Sequence, residues 1–391
     1  MDAEQRKSIT AGELSEQEVM DLLSVVGKRA PGTIIVLTGG EPLLHPNINQ
    51  IVKAGVAENL RMVVGTNGVL LTETLATELK ASGLDGMGIS IDSIDPKSHD
   101  HFRGMPGAFA KTCAAVQICR KVGLHVQIHF TVTKWNRHEL KAVVELAKEL
   151  GASILNFFFL ICVGRGEGTM DLSPSEYEKA LVEIAGLQKS TTGILVQSRC
   201  TPHFKRILHQ LDANSPYTRA TGYDGGGCLA GSHYCRITPK GEVTPCPYME
   251  LSAGNIRDQD FWKLWDTSTL FQSMRNADLL EGRCGSCEYK NLCGGCRAKA
   301  LVQGNLMDED PSCEYVPTGK ALIQIEKLGT NDKVEWTPEA LVRLSRLPVF
   351  LRPVVKKKLE ARALAEGVKV TAELMARHKN EREKELGLKF K

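Results

Sequence analysis

The sequence predicts an α/β fold with parallel strands, followed by a cysteine-rich segment and a small all-helical tail. Three observations predict it. Short apolar runs alternate with helix-patterned stretches as far as residue 185. The runs end in glycines and polar groups, where barrel and open α/β enzymes place their chemistry. Eight of the twelve cysteines then gather between Cys228 and Cys313.

The elements follow in order. Residues 1–14 are polar and open without an apolar strand. Ser15 is the expected N-cap, with Glu18 completing a capping box, for a helix to about Val26. Thr33–Leu37 reads as a buried parallel strand ending in Thr38-Gly39-Gly40-Glu41-Pro42. A helix around Ile48–Val56 precedes a strand at Arg61–Val64, which ends in Gly65-Thr66-Asn67-Gly68. A helix near Glu73–Ala81 leads to the strand Gly86–Ile91 and then Asp92-Ser93. Helices near Phe109–Val122 and Glu139–Leu150 precede strands at His125–Val132 and Ile154–Leu160. Pro174–Ala185 is a further helix, and Thr191–Ser198 adds one short strand. Five clear strands are too few for a closed eight-stranded barrel. Asn214–Tyr223 reads as a linker or surface loop, and Arg236–Val243 as a small hairpin turning near Lys240-Gly241. Phe261-Trp262 and Leu264-Trp265 stand at helical spacing as the core of a bridging helix.

The eight cysteines are Cys228, Cys235, Cys246, Cys284, Cys287, Cys293, Cys296 and Cys313. The short spacings Cys284-x2-Cys287 and Cys293-x2-Cys296 let two thiolates converge on one metal centre, and the intervening glycines and prolines permit tight turns. Eight thiolates suit two four-sulfur sites. Iron–sulfur clusters are the natural filling, and spacing alone leaves zinc as the alternative. Disulfides fit poorly with a long chain that shows no signal peptide. Cys113, Cys119, Cys162 and Cys200 are scattered and read as small buried hydrophobes.

The 391 residues are 42% hydrophobic and 24% charged, enough for two or three domains. The divisions expected are 1–213, 214–320 and 333–387. The formal net charge of +3 argues for no nucleic-acid partner, although the segment from Lys333 onward holds fifteen Lys or Arg against eight Asp or Glu. No run of eighteen apolar residues exists, so no membrane span is expected. Metal-ligating cysteines point to a reducing, cytoplasmic compartment.

The ordered series Thr38-Gly39-Gly40-Glu41-Pro42, Thr66-Asn67-Gly68 and Ser90-Ile91-Asp92 resembles the radical S-adenosylmethionine family. The array from Cys228 to Cys313 resembles the auxiliary-cluster domain of its SPASM branch. Together the resemblance covers roughly residues 12–315. It implies a partial, TIM-like (β/α)6 barrel, here missing its first strand, with S-adenosylmethionine as cofactor. Gly39, Gly40 and Glu41 would hold the amino group of that cofactor, within a set that also includes Thr66 and Asn67. Ser90 and Asp92 would lie near its ribose and methionine portions, Arg103 would reach its carboxylate or a neighbouring charge, and Gly164 and Arg165 would border the adenine. The plain alternatives are a βα turn at Gly39-Gly40, a helix cap at Asp92 and a surface ion pair at Arg103. The resemblance also assigns Cys228, Cys235, Cys246 and Cys296 to one auxiliary [4Fe-4S] cluster and Cys284, Cys287, Cys293 and Cys313 to a second. Without Cys235 as a ligand, one iron would be open to substrate.

The sequence departs from the family in one respect. The defining Cys-x3-Cys-x2-Cys loop belongs just before the helix at Ser15 and is absent. The expectation is an N-terminally truncated form, or one that has lost the radical chemistry, without ligands for the initiator [4Fe-4S] cluster.

In the tail, Thr337 and Pro338 mark a helix start, and Leu341, Leu344 and Leu347 line one side of that helix. Val354–Ala365 is a basic helix, Gly367 a stop and Thr371–Lys384 a last helix. This part resembles a small domain of protochlorophyllide reductase subunits. The stretches Ser98–Asp100, Arg120–Leu124 and Phe157–Leu160 resemble members that modify haem precursors. The implied activity is generation of a 5′-deoxyadenosyl radical that modifies or decarboxylates a tetrapyrrole side chain. A flavodoxin or ferredoxin would serve as electron donor, and Arg199, His203, Lys205 and Arg206 would pair with substrate carboxylates. The alternatives are a peptide-modifying SPASM maturase and a non-catalytic iron–sulfur electron-transfer protein.

Overall fold

The computed structural model describes residues 12–162, 170–219, 227–323, 334–346 and 351–386. Helix α1 (Glu16–Arg29) starts on the expected capping box. Ser15 Oγ accepts from the Glu18 amide, and the Glu18 carboxylate accepts from Ser15 N and Oγ. Strand β1 (Ile34–Leu37) follows, and α1 packs against α2 (Ile48–Ala57). β1 begins a six-stranded sheet continued by β2 (Arg61–Thr66), β3 (Gly86–Ser90), β4 (His125–Val132), β5 (Ile154–Phe159) and β6 (Leu195–Arg199). Strand order is sequential and every neighbouring pair is parallel. The short strand expected at Thr191–Ser198 is thus real, shifted toward Arg199.

The connections are helical, as parallel neighbours require. They are α3 (Glu73–Ala81), α4 (Pro96–Arg103), α5 (Ala108–Val122), α6 (Leu140–Glu149) and α7 (Pro174–Ser190). α4 was not foreseen. Asp95 caps it by accepting from Ser98 N at 2.8 Å, Pro96 sits in its first turn, and Gly104 ends it at φ 65°. The start and stop signals were present, but a polar helix of eight residues has no apolar period to reveal it.

On each strand, alternate side chains face the helices. Val64, Met87, Ile89, Ile128, Phe130, Leu155, Phe157 and Phe159 are at most 1% exposed. Each contributes roughly 1.5–3 kcal/mol by burial, and truncating Phe130 to alanine would cost about 3–5 kcal/mol.

After β6 come α8 (Phe204–Leu211) and the short α9 (Pro216–Arg219), the latter inside the segment read as a loop. The cysteine-rich part holds a hairpin of β7 (Arg236–Ile237) and β8 (Val243–Thr244), with α10 (Phe261–Thr267), α11 (Thr269–Arg275), α12 (Gly282–Ser286) and α13 (Arg297–Val302). Phe261 and Leu264 of α10 are buried in the main core, as expected of a bridging helix. Trp262 Nε1 donates to Val25 O at 3.0 Å, and Arg29 pairs with Asp266 at 2.6 Å, so α1 is tied to this part.

The tail is three helices, α14 (Pro338–Arg346), α15 (Leu351–Glu366) and α16 (Ala372–Leu386), around Ala340, Leu344, Leu359, Ala363, Val370 and Leu374. Thr337 caps α14 by accepting from Ala340 N. Leu341, expected on the apolar side, is 49% exposed, because the seam follows Ala340 and Leu344 at i, i+4. Leu347 lies outside the described residues. No helix among the described residues is long and apolar enough to cross a membrane.

Candidate functional site

The strand positions opposite the helix-facing ones are of another kind. The Cα register sets Gly65, Gly88, Gln127, Ile154 and Leu195 in one row, and Ser90, His129, Asn156 and Gln197 in the next. A third row is Thr131, Phe158 and Arg199. Glycine leaves the β2–β3 side bare, while amides, an imidazole and a guanidinium make the β4–β6 side polar. All except Thr131 line one large open cavity. Arg199 Nε donates to Asn156 Oδ1 at 3.3 Å and Nη2 to Gln197 Oε1 at 2.6 Å, while Asn156 Nδ2 donates to Gln127 Oε1 at 3.0 Å. The His129 ring lies 4.9 Å from that of Phe158. Gly88 makes room for it, since a Cβ there would come within 2.4 Å of His129 Cε1. Burial, and then the charge of Arg199, push the imidazole down to about 4, so it is neutral at neutral pH. His129 went unremarked in the sequence. Its signal was the alternation His125, Gln127, His129 within an otherwise apolar strand.

At the ends of β1 and β2, Glu41 is the hub. Its Oε1 accepts from Leu43 N (3.1 Å) and Thr66 Oγ1 (2.5 Å), and its Oε2 from Asn67 N (3.0 Å). Three bonds leave acceptor capacity for a further donor. Gly39 takes φ 136°, which favours glycine, and a Cβ added at Gly39 or Gly40 would meet nothing within 4 Å. Bare backbone beside an oriented carboxylate fits an ammonium group. Ser90 and Arg103 face the same cavity. Asp92 stands behind that wall, 0% exposed. It ion-pairs with Arg103, accepts from Thr131 N at 3.0 Å, and through its own amide donates to His99 Nδ1 at 3.2 Å. It does not cap α4, which Asp95 does. Gly164 and Arg165 lie outside the described residues.

Of the basic residues expected to meet carboxylates, Arg206 is held by Glu178 (Nη1–Oε1 2.9 Å, Nη2–Oε2 2.5 Å), and Lys205 Nζ donates to Tyr217 O at 3.0 Å. His203 turns toward the cysteines, and Arg199 reaches the lumen.

Cys284, Cys287, Cys293 and Cys313 line one small cavity with His203, Arg206 and Asp310. The thiols carry amide bonds: Tyr289 N to Cys287, Gly295 N to Cys293 and Asp310 N to Cys284, each 3.4 Å. Gly294 and Gly295, at φ 70° and 61°, make the left-handed turn between Cys293 and Cys296. His203 Nε2 and Arg297 Nε and Nη2 are buried donors with no acceptor among the described residues. Arg297 Nη2 and Cys284 Sγ both crowd the face of Gly295. Orphaned donors around a cavity of thiols fit a polyatomic anionic group, whose sulfides would accept from them. No group of three or more candidate ligands is gathered tightly enough for a single metal ion among the described residues.

Cys246 and Cys296 belong to a neighbouring buried cluster, with Cys228 packed against it. The two sets are stitched together. Cys228 N donates to Cys293 O at 3.1 Å, and Asp310, bonded to Cys284, accepts from Cys296 N at 2.7 Å. Burial alone would raise the Asp310 carboxyl, but nearby His203, Lys299 and the Ser312 hydroxyl hold it well below the usual range. Cys235 does not join Cys228 in this cluster. It packs against the main core instead.

Comparison with known proteins agrees with this layout. Residues 3–147 match the radical SAM superfamily, 228–297 an iron–sulfur cluster-binding domain, and 336–379 the proto-chlorophyllide reductase 57 kD subunit. The first two matches imply S-adenosylmethionine and iron–sulfur clusters as cofactors. An AdoMet-dependent heme synthase of Methanosarcina barkeri is 39% identical, covering 80% of this chain and 91% of its own. One of Nitratidesulfovibrio vulgaris is 36% identical, covering 78% and 85%. A PqqA peptide cyclase of Gluconobacter oxydans is 28% identical, covering 72% and 76%. Among solved structures, native anSMEcpe with bound AdoMet has the same fold, with a TM-score of 0.60 at 20% identity over 77% of this chain and 85% of that one. With these motifs in this geometry, and with relatives of that identity covered almost end to end, the chain belongs to the radical SAM superfamily, in the branch that carries a SPASM iron–sulfur domain, and is an enzyme by family.

Proposed function

We propose that this enzyme modifies a carboxylate-bearing side chain of an iron tetrapyrrole, by decarboxylation or a related radical reaction. The observation that carries the proposal is the 39% identity to a protein named a heme synthase across 91% of its length, against 28% to a peptide cyclase. The lumen supports it. Arg199 brings a guanidinium to a polar wall of Asn156, Gln127 and Gln197, which suits an acetate or propionate arm.

When bound, S-adenosylmethionine and the iron–sulfur clusters supply hydrogen-atom abstraction and one-electron transfer. The chain's own residues orient and enclose. Glu41 and the bare backbone of Gly39 and Gly40 receive the cofactor's ammonium. Thr66 and the Asn67 amide hold Glu41 in place. Arg103, held by Asp92, offers a cation to the cofactor's carboxylate. Ser90 borders its ribose. The two cysteine sets would hold two auxiliary clusters, which would supply one-electron chemistry beside the substrate, with a flavodoxin or ferredoxin as external donor. Units 1–213, 214–320 and 333–387 divide these tasks between barrel, cluster domain and tail.

Binding tests the substrate class without turnover. Iron coproporphyrin and sirohaem derivatives titrated into the protein should show saturable absorbance shifts, weakened about tenfold or more in Arg199→Ala, since a charge-assisted bond is worth roughly 1.5–3 kcal/mol. No binding of any tetrapyrrole, with tight binding of a peptide encoded beside the gene, would overturn the proposal.

A further inference from the structure

We infer that Cys200, at the end of β6, is the fourth thiolate of the first auxiliary site, in the place expected for Cys235. The inference rests on the reading of the cysteine sets as iron–sulfur sites.

Four observations carry it. Cys246 and Cys296 are buried in one apolar cluster, and the residues packed against that cluster include both Cys228 and Cys200. Cys235 packs instead against the main core, beside Arg275 of α11, whose guanidinium stacks over Trp265 of α10 at 4.5 Å. Tyr248, which follows Cys246 by two residues, packs against the same cluster beside Cys200. Finally, Cys200 takes φ 61°. Among the described residues only Asn59 is another non-glycine with positive φ, and asparagine tolerates that region where cysteine does not.

The backbone conformation is the telling part. A glycine at 200 would adopt it without strain, so retaining a side chain there calls for a use of the thiol. The turn that imposes it is built locally: Ser198 Oγ and Thr201 Oγ1 are 2.6 Å apart on either side of the residue. The thiol comes from the barrel wall one residue after Arg199, so ligation would fix the lumen cation relative to the cluster. On binding, the thiol gives up its proton and forms one iron–sulfur bond, with no change in cluster electron count.

The test compares the wild-type chain with Cys200→Gly, Cys200→Ala, Cys235→Ala and Cys246→Ala, each reconstituted without oxygen. The readouts are iron and sulfide content and the EPR spectrum of the reduced protein. Wild type should hold about eight iron atoms in two clusters. Cys200→Gly and Cys200→Ala should lose iron, or show the same altered EPR signal as Cys246→Ala, while Cys235→Ala matches wild type. Cys200→Gly relieves the strained backbone, so its circular dichroism before reconstitution should equal that of wild type, and a lost cluster then reports the missing thiol. Wild-type iron and EPR in both Cys200 variants overturns the inference, as does cluster loss in Cys235→Ala. A wild type that takes up zinc and no iron overturns instead the iron–sulfur reading beneath it.

Discussion

Replacing His129 by glutamine should lessen the protein's acid sensitivity between pH 7 and pH 5. The half-buried imidazole lies between Phe158 and the face of Gly88, with Arg199 the charged group nearby, and its folded value is pushed down to about 4 from an ordinary 6.5. Because the folded value lies below the unfolded one, the unfolded chain binds the proton first as pH falls. Stability is therefore full above about pH 6.5 and drains between there and pH 4. Linkage sets the size: one unit is worth about 1.4 kcal/mol, so the whole window spans roughly 3 kcal/mol and a drop to pH 5 costs about 2 kcal/mol. Urea unfolding of the barrel at pH 7 and pH 5, in wild type and His129→Gln, gives the difference between the two drops. His99 and His209 are also pushed down by burial and remain in both proteins, so they cancel. Equal losses in the two proteins would refute the burial of a neutral imidazole in the lumen.

Other predictions follow from single contacts. Glu41→Gln should weaken S-adenosylmethionine binding by about 1.5–3 kcal/mol, measured by calorimetry with the initiator motif supplied; unchanged affinity would move the ammonium site elsewhere. Glu178→Ala strands the guanidinium of Arg206, whose side chain is 3% exposed, and should destabilise the junction between α7 and α8 by roughly 3 kcal/mol in thermal melts. A melt unshifted by more than a degree would show the pair to be dispensable. Arg297→Met removes buried donors beside Cys284, so the reduction potential of a cluster should fall in an EPR redox titration. A rise, or no change, would place that guanidinium away from the cluster sulfurs.

Much of the fold was legible because its signals are local. The capping box at Ser15 and Glu18, the strand ends at Gly39–Glu41 and Thr66–Asn67, and the Lys240-Gly241 hairpin turn appear where the sequence sets them. Local patterns misled where burial is decided by partners. Leu341 is apolar and in a helix, yet a seam one residue away excludes it. Asp92 sits in a motif at a strand end, but its carboxylate is sealed behind Arg103. The second cysteine set came from the resemblance, because spacing alone pairs Cys293 with Cys296 and leaves Cys313 apart. The first set could not be completed from the sequence. Cys200 comes from another part of the chain, and nothing in its sequence neighbourhood marks it as a ligand. Its strained φ and its company are properties of the folded chain alone.

The proposed substrate is a tetrapyrrole bearing a carboxylate arm. The most direct measurement joins the Cys-x3-Cys-x2-Cys segment of a relative to the N-terminus and adds S-adenosylmethionine and a low-potential reductant. Mass spectra are then followed for sirohaem derivatives, iron coproporphyrin and peptides encoded beside the gene. The expected result is loss of carbon dioxide from an acetate or propionate arm, in step with release of 5′-deoxyadenosine. Modification of a peptide, with every tetrapyrrole unbound and unchanged, would contradict it.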